Sequence, residues 1–179
     1  MSHNRAPVQK LLKVVITGLA FIASFANDAL AETPLPALAT EPMLTITGLD
    51  DSRFADGILL LDSGRLAAID ATRLTTTTPW TDGPHEFTGV RLAALTDFLG
   101  LSDGVLVAQA LNDYSVEIPV SEAVPDGAII AYAIDGLPMP VRSRGPLWVI
   151  YPFDQNPDYR SEVTYTRSIW QMNRLEVRP

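Results

Sequence analysis

Few side chains in this sequence have the types and spacing that chemistry requires. The stretch "TTTTPWTDGPHEFTGV" runs from Thr75 through Trp80 to His85, the one histidine outside the first 31 residues. An imidazole titrates near neutral pH, so His85 can act as a general base. A base also needs a nucleophile and a group that orients it. His85 instead directly follows the turn residues Asp82, Gly83 and Pro84, so a solvated histidine or a ligand contact is the simpler reading. The hydroxyls of Thr75, Thr76 and Thr77 can line a pocket as neutral hydrogen-bond partners. They can equally belong to a β-branched strand that pairs hydroxyls across a sheet. Trp80 offers a broad apolar face and one donor, as a pocket wall or as ordinary packing. Arg142 and Arg144, in the turn "VRSRGP" with Gly145, present guanidinium forks that suit a carboxylate or phosphate. Pairing with acids of the same domain explains them as well.

No residue is assigned a catalytic role, and no metal ligand set is recognised. The chain contains no cysteine, which excludes disulfides, thiolate metal sites and cysteine nucleophiles. Any transition-metal site would therefore fall to His85, carboxylates or a bound cofactor. The sequence has no G-x-S-x-G, phosphate-binding loop, H-E-x-x-H or dinucleotide glycine motif. The acids of "PFDQNPDYR" lack the alternating spacing of a calcium loop.

The segment that precedes these residues reads as an export signal. Arg5, Lys10 and Lys13 lead into the apolar run "VVITGLAFIASFA", followed by "ALA" at residues 29–31, the order of a signal peptide. The run is shorter than the roughly 20 apolar residues of a membrane span, although an uncleaved anchor is the alternative. Residues 1–31 are thus expected to be a signal peptide, 32–42 an extended proline-rich leader, and 43–179 one domain. A domain of this size buries about 68–70% of its unfolded surface. Without the signal, ten arginines and no lysine stand against twenty acidic residues, a formal net charge of −10. Such a surface offers nothing to nucleic acid or anionic lipid. The expected location is the bacterial periplasm or the exterior, with no stable membrane insertion after cleavage.

The elements that must position the candidates are mostly short strands. "MLTITGL" alternates as a half-buried strand does, and "AIDATRLTTTT" is β-branched. "VRLAALTDFLGL" has apolar residues at Val90, Leu92, Leu95, Phe98 and Leu99 with a glycine stop, which predicts an amphipathic helix. "GVLVAQALNDYSVEIPV" predicts two strands turned at Asn112-Asp113. "SEAVP" suits a short helix capped by Ser121. "AIIAYAIDGLPMPV" and "PLWVIYPF" are apolar β runs, and "YTRSIWQMNRLEVRP" predicts a short helix or bend before a final strand. The class is α+β, a β-rich mixed sheet or barrel-like core with a few short helices.

The order of these segments resembles the molybdopterin-binding oxidoreductase domain of the sulfite oxidase type. The matching pieces are "EFTGVRLAALTDFLG", "ALNDYSVEIPVSEA", "AYAIDGLPMPVRSRGPLWVIYP" and "SIWQMNRLEV". The resemblance implies a molybdopterin cofactor and a metal-ligating cysteine on the strand before the "GVRL" helix, a place that falls near Thr75 to Thr77. Threonine cannot replace a thiolate there. Trp148 stands where the family has an arginine, and Asn112, Asp113 and Tyr114 take the family's D-G-Y place. Arg142 and Arg144, with Arg160 or Arg167, are the cations left for an anion. Exported relatives cross the membrane folded behind a twin-arginine signal, which is missing here. The expectation is a binding module that has lost the metal chemistry, takes a small anionic ligand or a periplasmic or membrane protein partner, and needs no cofactor. The alternative is a molybdopterin oxidoreductase that holds its cofactor without cysteine.

Overall fold

The computed structural model describes Met1 and residues 34–179. The expected signal peptide, apart from Met1, and the first two leader residues lie outside the described residues. The strands are β1 (Leu44–Thr47), β2 (Leu59–Leu61), β3 (Thr72–Thr77), β4 (Pro84–Arg91), β5 (Val105–Ala110), β6 (Ser115–Pro119), β7 (Ile129–Ile134), β8 (Leu137–Pro138), β9 (Trp148–Ile150) and β10 (Met172–Arg178). The helices are α1 (Ser63–Ile69), α2 (Leu92–Leu99) and α3 (Glu162–Arg167). The expected β-rich mixed core takes the form of two five-stranded sheets. The first has the order β2-β1-β10-β5-β6; in the second, β3-β4-β7 continues to β8 and β9, which both pair with β7. The one parallel pair among the described residues, β1 with β10, makes the first sheet mixed.

Burial on both faces explains why β7 and β9 read as continuous apolar runs rather than alternating ones. Ile130 and Val149 join Ile46, Leu106 and Ile118, with Leu66 of α1 and Leu95 of α2, in the main core. Ile129, Ala131, Trp148 and Ile150 point the other way, into a second cluster with Leu74, Phe87 and Met139. Trp80 packs against both clusters.

Three local expectations are corrected. Val90 belongs to β4, opposite Ile130, and α2 starts at Leu92; its burial satisfies a strand as well as it fits the helical period. Ser121 lies inside a 3-10 turn, Val120–Glu122, whose preceding residue is Pro119, so it caps nothing. The helix near the C-terminus begins earlier than its apolar signal, because Ser161 accepts from Thr164 N and sets its start. The leader also does more than lead: Asp62, the N-cap of α1, accepts from Ala39 N and Thr40 N at 2.7 and 3.1 Å, and Arg65 donates to Pro36 O. These bonds hold the Asp62 carboxyl below its usual range, Arg65 N being the first cause and Ala39 N the second.

The glycine of the "TGVRL" segment has a steric reason. A Cβ at Gly89 would lie 2.3 Å from Ile130 O and 2.7 Å from Ala131 Cα, where β4 shifts register against β7. Gly89→Ala should therefore cost about 1–3 kcal/mol or more through overpacking, read as a lowered denaturant midpoint with unchanged slope.

Candidate functional site

The threonine run ends β3, and alternation separates its members. Thr75 faces solvent, whereas Thr76 is fully buried opposite His85. The Thr76 hydroxyl donates to Thr77 O and accepts from Asp154 N, both at 3.2 Å. Thr77 is clamped by the same residue: its N–H and hydroxyl donate to the two Asp154 carboxylate oxygens at 2.6 Å each. Arg160 adds a bond to Asp154 at 3.0 Å. The Thr77 hydroxyl, then the Thr77 N–H, and then Arg160 hold the Asp154 carboxyl below its ordinary range. Beyond the clamp, Trp80 N donates to the Thr78 hydroxyl, which also bonds Thr81. That local turn brings Trp80 back over the domain.

Trp80 is the hub of an aromatic cluster. Its ring lies 5.8 Å from Trp148, 6.2 Å from Phe153, 5.9 Å from Tyr165 and 5.7 Å from Trp170, in tilted or edge-to-face arrangements. Such pairs contribute about 0.5–1.5 kcal/mol each beyond burial. Arg144 donates to Trp80 O and rests over the Trp148 ring at 5.0 Å. Its neighbour must be glycine, because a Cβ at Gly145 would sit 1.9 Å from Met139 O. Trp148 is buried and donates its indole N–H to Ser168 O at 3.1 Å.

These elements enclose a hollow of about 410 Å³ whose walls include Trp80, Asn112, Tyr114, Tyr165, Trp170 and Gln171. None of its lining residues carries a formal charge. An adjoining hollow of about 320 Å³ shares Trp170 and is lined also by Ser143 and Arg144.

Of the residues singled out from the sequence, Trp80, Asn112 and Tyr114 meet in the hollow of about 410 Å³, and Arg144, followed in the chain by Gly145, lies beside it. Thr77 borders another adjoining hollow of about 200 Å³, which shares Tyr165 with the first and is lined also by Thr78, Phe153 and Arg160. His85 is elsewhere: its Nδ1 lies 2.6 Å from Asp135, whose other oxygen accepts from Glu86 N. Asp113 turns to Arg174 and Gln109, and Arg142 is exposed with no ion pair among the described residues. Arg160 and Arg167, expected to be available to an anion, are instead paired with Asp154 and Glu122. Sequence reasoning missed Tyr165, Trp170 and Gln171. The signal was a tryptophan in the polar turn "SIWQMN"; it is 40% exposed in the fold.

The two sheets with their short helices define a sulfite-oxidase-type fold. A crystal structure of the sulfane dehydrogenase SoxCD from Paracoccus pantotrophus is similar, with a TM-score of 0.54 and 17% identity over 76% of this chain and 38% of that one. The chain thus spans well under half of that neighbour's length. Residues 63–154 match the oxidoreductase molybdopterin binding domain, and the chain belongs to that family. No curated protein matches the sequence significantly.

The family raises the question of whether its cofactor fits. At the place the resemblance gives to the metal-ligating thiolate, Thr76 and Thr77 are already hydrogen-bonded and Asp154 adds a carboxylate at 2.6 Å. Among the described residues no group of three or more His, Cys, Asp or Glu side chains could hold a metal ion. A soft metal centre selects thiolate over a protonated hydroxyl, so these residues do not fit a thiolate-ligated molybdenum.

Because the Asp154 carboxyl is held low, its clamp is in full force above the ordinary carboxylate range near pH 4 and is lost as pH falls through the depressed value. Asp154→Asn should lower stability at pH 7 by about 1 kcal/mol, the loss of a charge-assisted bond at a partly exposed site. Denaturant melts of the two proteins should converge in strong acid.

Proposed function

We propose that this chain is an exported, non-catalytic binding module of the molybdopterin-binding domain family, which uses the aromatic cleft around Trp80 to take a ligand. The observation that carries this reading is the commitment of Thr77 to Asp154, where the family resemblance places the metal ligand. Three of the four arginines expected to serve an anion are committed too, since Arg160 and Arg167 are paired and Arg144 supports Trp80, which leaves only Arg142 without an ion pair among the described residues. Export agrees with it. A signal peptide without an arginine pair sends a chain across the membrane unfolded, and an unfolded chain carries no pre-inserted cofactor. Among the described residues no helix is long and apolar enough to cross a membrane.

Family membership keeps one other reading in view, a molybdopterin oxidoreductase without a cysteine ligand. The two separate in one measurement. Protein isolated from the periplasmic fraction of the expressing cell, assayed for molybdenum by mass spectrometry and for pterin by fluorescence, should contain neither in stoichiometric amount. One equivalent of both would establish the oxidoreductase reading and end the binding-module one. Recovery of the precursor only in the cytoplasm would end the export part.

A further inference from the structure

The chemistry of the main hollow specifies its occupant more narrowly than the family does. Its wall on one side is rigid: Trp80 packs edge-to-face with Tyr165 and Trp170, and such mutually braced rings lose little freedom on binding. Tyr114 makes no ring contact with these three and stands apart on the β5–β6 turn, 51% exposed. Three of the lining polar groups are already spent. Thr166 donates to Glu162 O, Ser168 to Thr164 O, and Gln171 to Val141 O. The Tyr114 and Tyr165 hydroxyls, the Trp170 indole N–H and the Asn112 amide N–H take no partner among the described residues. What remains to meet a ligand is ring faces and uncharged hydrogen-bonding groups.

The lining of the hollow itself offers an ion of either sign no counter-charge. An ion entering a cavity without a counter-charge loses hydration that nothing restores. Charges stand only in neighbouring hollows: Arg144 in the one that shares Trp170, and Glu117, Glu162 and the paired Arg167 in one of about 440 Å³ that shares Tyr114 and Thr166. The volume of about 410 Å³ lies within the range of small-molecule sites.

We infer that the hollow between Trp80, Trp170 and Tyr114 binds an uncharged ring compound with one flat apolar face and hydrogen-bonding groups at its edge, a neutral saccharide or a neutral heterocycle. The inference rests on the reading of this domain as a ligand-binding module. It replaces the small anion expected from the arginines with a ligand chosen by shape and face.

The test uses one ring in three charge states. Indole, indole-3-acetate and tryptamine are titrated at pH 7 into the exported protein by calorimetry, with N,N′-diacetylchitobiose as the saccharide arm. Indole or the disaccharide should bind, and both charged indoles should bind at least about tenfold more weakly than the neutral probe. Trp170→Ala and Tyr114→Ala, both at exposed positions, should each weaken the neutral probe about tenfold or more, as loss of a stacking face does. The melting curve of Tyr114→Ala should stay near wild type, whereas Trp170→Ala, which also loses ring contacts with Trp80 and Trp148, should melt lower but remain folded. Binding by indole alone assigns a heterocycle, and binding by the disaccharide alone assigns a saccharide. Tighter binding of either charged indole, binding unchanged in both variants, or no binding of any probe would overturn the inference. Molybdenum measured on the same batch tells the two claims apart. A metal-free protein that prefers a charged probe removes the ligand class alone, whereas a stoichiometric metal content removes the module reading beneath it.

Discussion

The carboxylate of Asp154 holds the site together. It accepts from the Thr77 N–H and hydroxyl, is itself held by Arg160, and its own N–H reaches the Thr76 hydroxyl. These bonds join the end of β3 to the segment after β9, two places 77 residues apart in sequence. Everything beyond the clamp inherits its position. The Thr78–Thr81 turn starts from it, Trp80 is delivered by that turn, and Arg144 fixes the carbonyl of Trp80 from the opposite loop. A charge-assisted acceptor shared by several donors is stronger than neutral pairs, so the clamp fixes where the loop begins, and the packing of Trp80 against four rings holds its far side.

The second constraint is that one sheet must be covered on both sides. β7 and β9 send alternate residues into two apolar clusters, and among the described residues the outer cluster draws on no strand of the first sheet. Met139 from the loop after β8 and Trp80 from the loop after β3 supply the cover. The covering loops are the ones that carry the site. Stability and site geometry are therefore coupled, since moving Trp80 uncovers Trp148 and, behind it, Phe87.

Much of this was legible in the sequence because local chemistry and tertiary structure agree there. The period and glycine stop of "RLAALTDFLG" became α2 with Gly100 in the left-handed conformation. The turn chemistry of Asn112-Asp113 became the β5–β6 turn, with Asp113 at φ 64°. The order of motifs placed Trp80, Asn112 and Tyr114 in one region, and they do meet. The other half of the hollow was not legible. Tyr165, Trp170 and Gln171 are placed by long-range bonds, Trp148 to Ser168 and Gln171 N to Arg144 O, and they lie beyond the residues the family model matches. His85 misled for the opposite reason. Its side chain type is chemically suggestive, but its nearest partner is Asp135 in the turn between β7 and β8, a pairing across 50 residues that no local pattern announces.

The departures from the family pattern share a direction. Where the resemblance expects a thiolate, the chain has a threonine bonded to Asp154; where it expects an arginine, Trp148 is buried and donates to a backbone carbonyl. The one arginine that stays at the cleft, Arg144, is laid against an indole ring and hydrogen-bonded to the protein. Each change removes a charged or metal-binding group from the cleft and supplies a ring or an internal bond instead. The buried Thr76, its neighbour Thr77 and Trp148 are hydrogen-bonded within the protein, the buried Tyr151 hydroxyl and Asn173 Oδ1 are not, and the hollow has a wall of packed aromatic rings. What the cleft presents is therefore ring faces and uncharged polar groups rather than a ligand set for a metal.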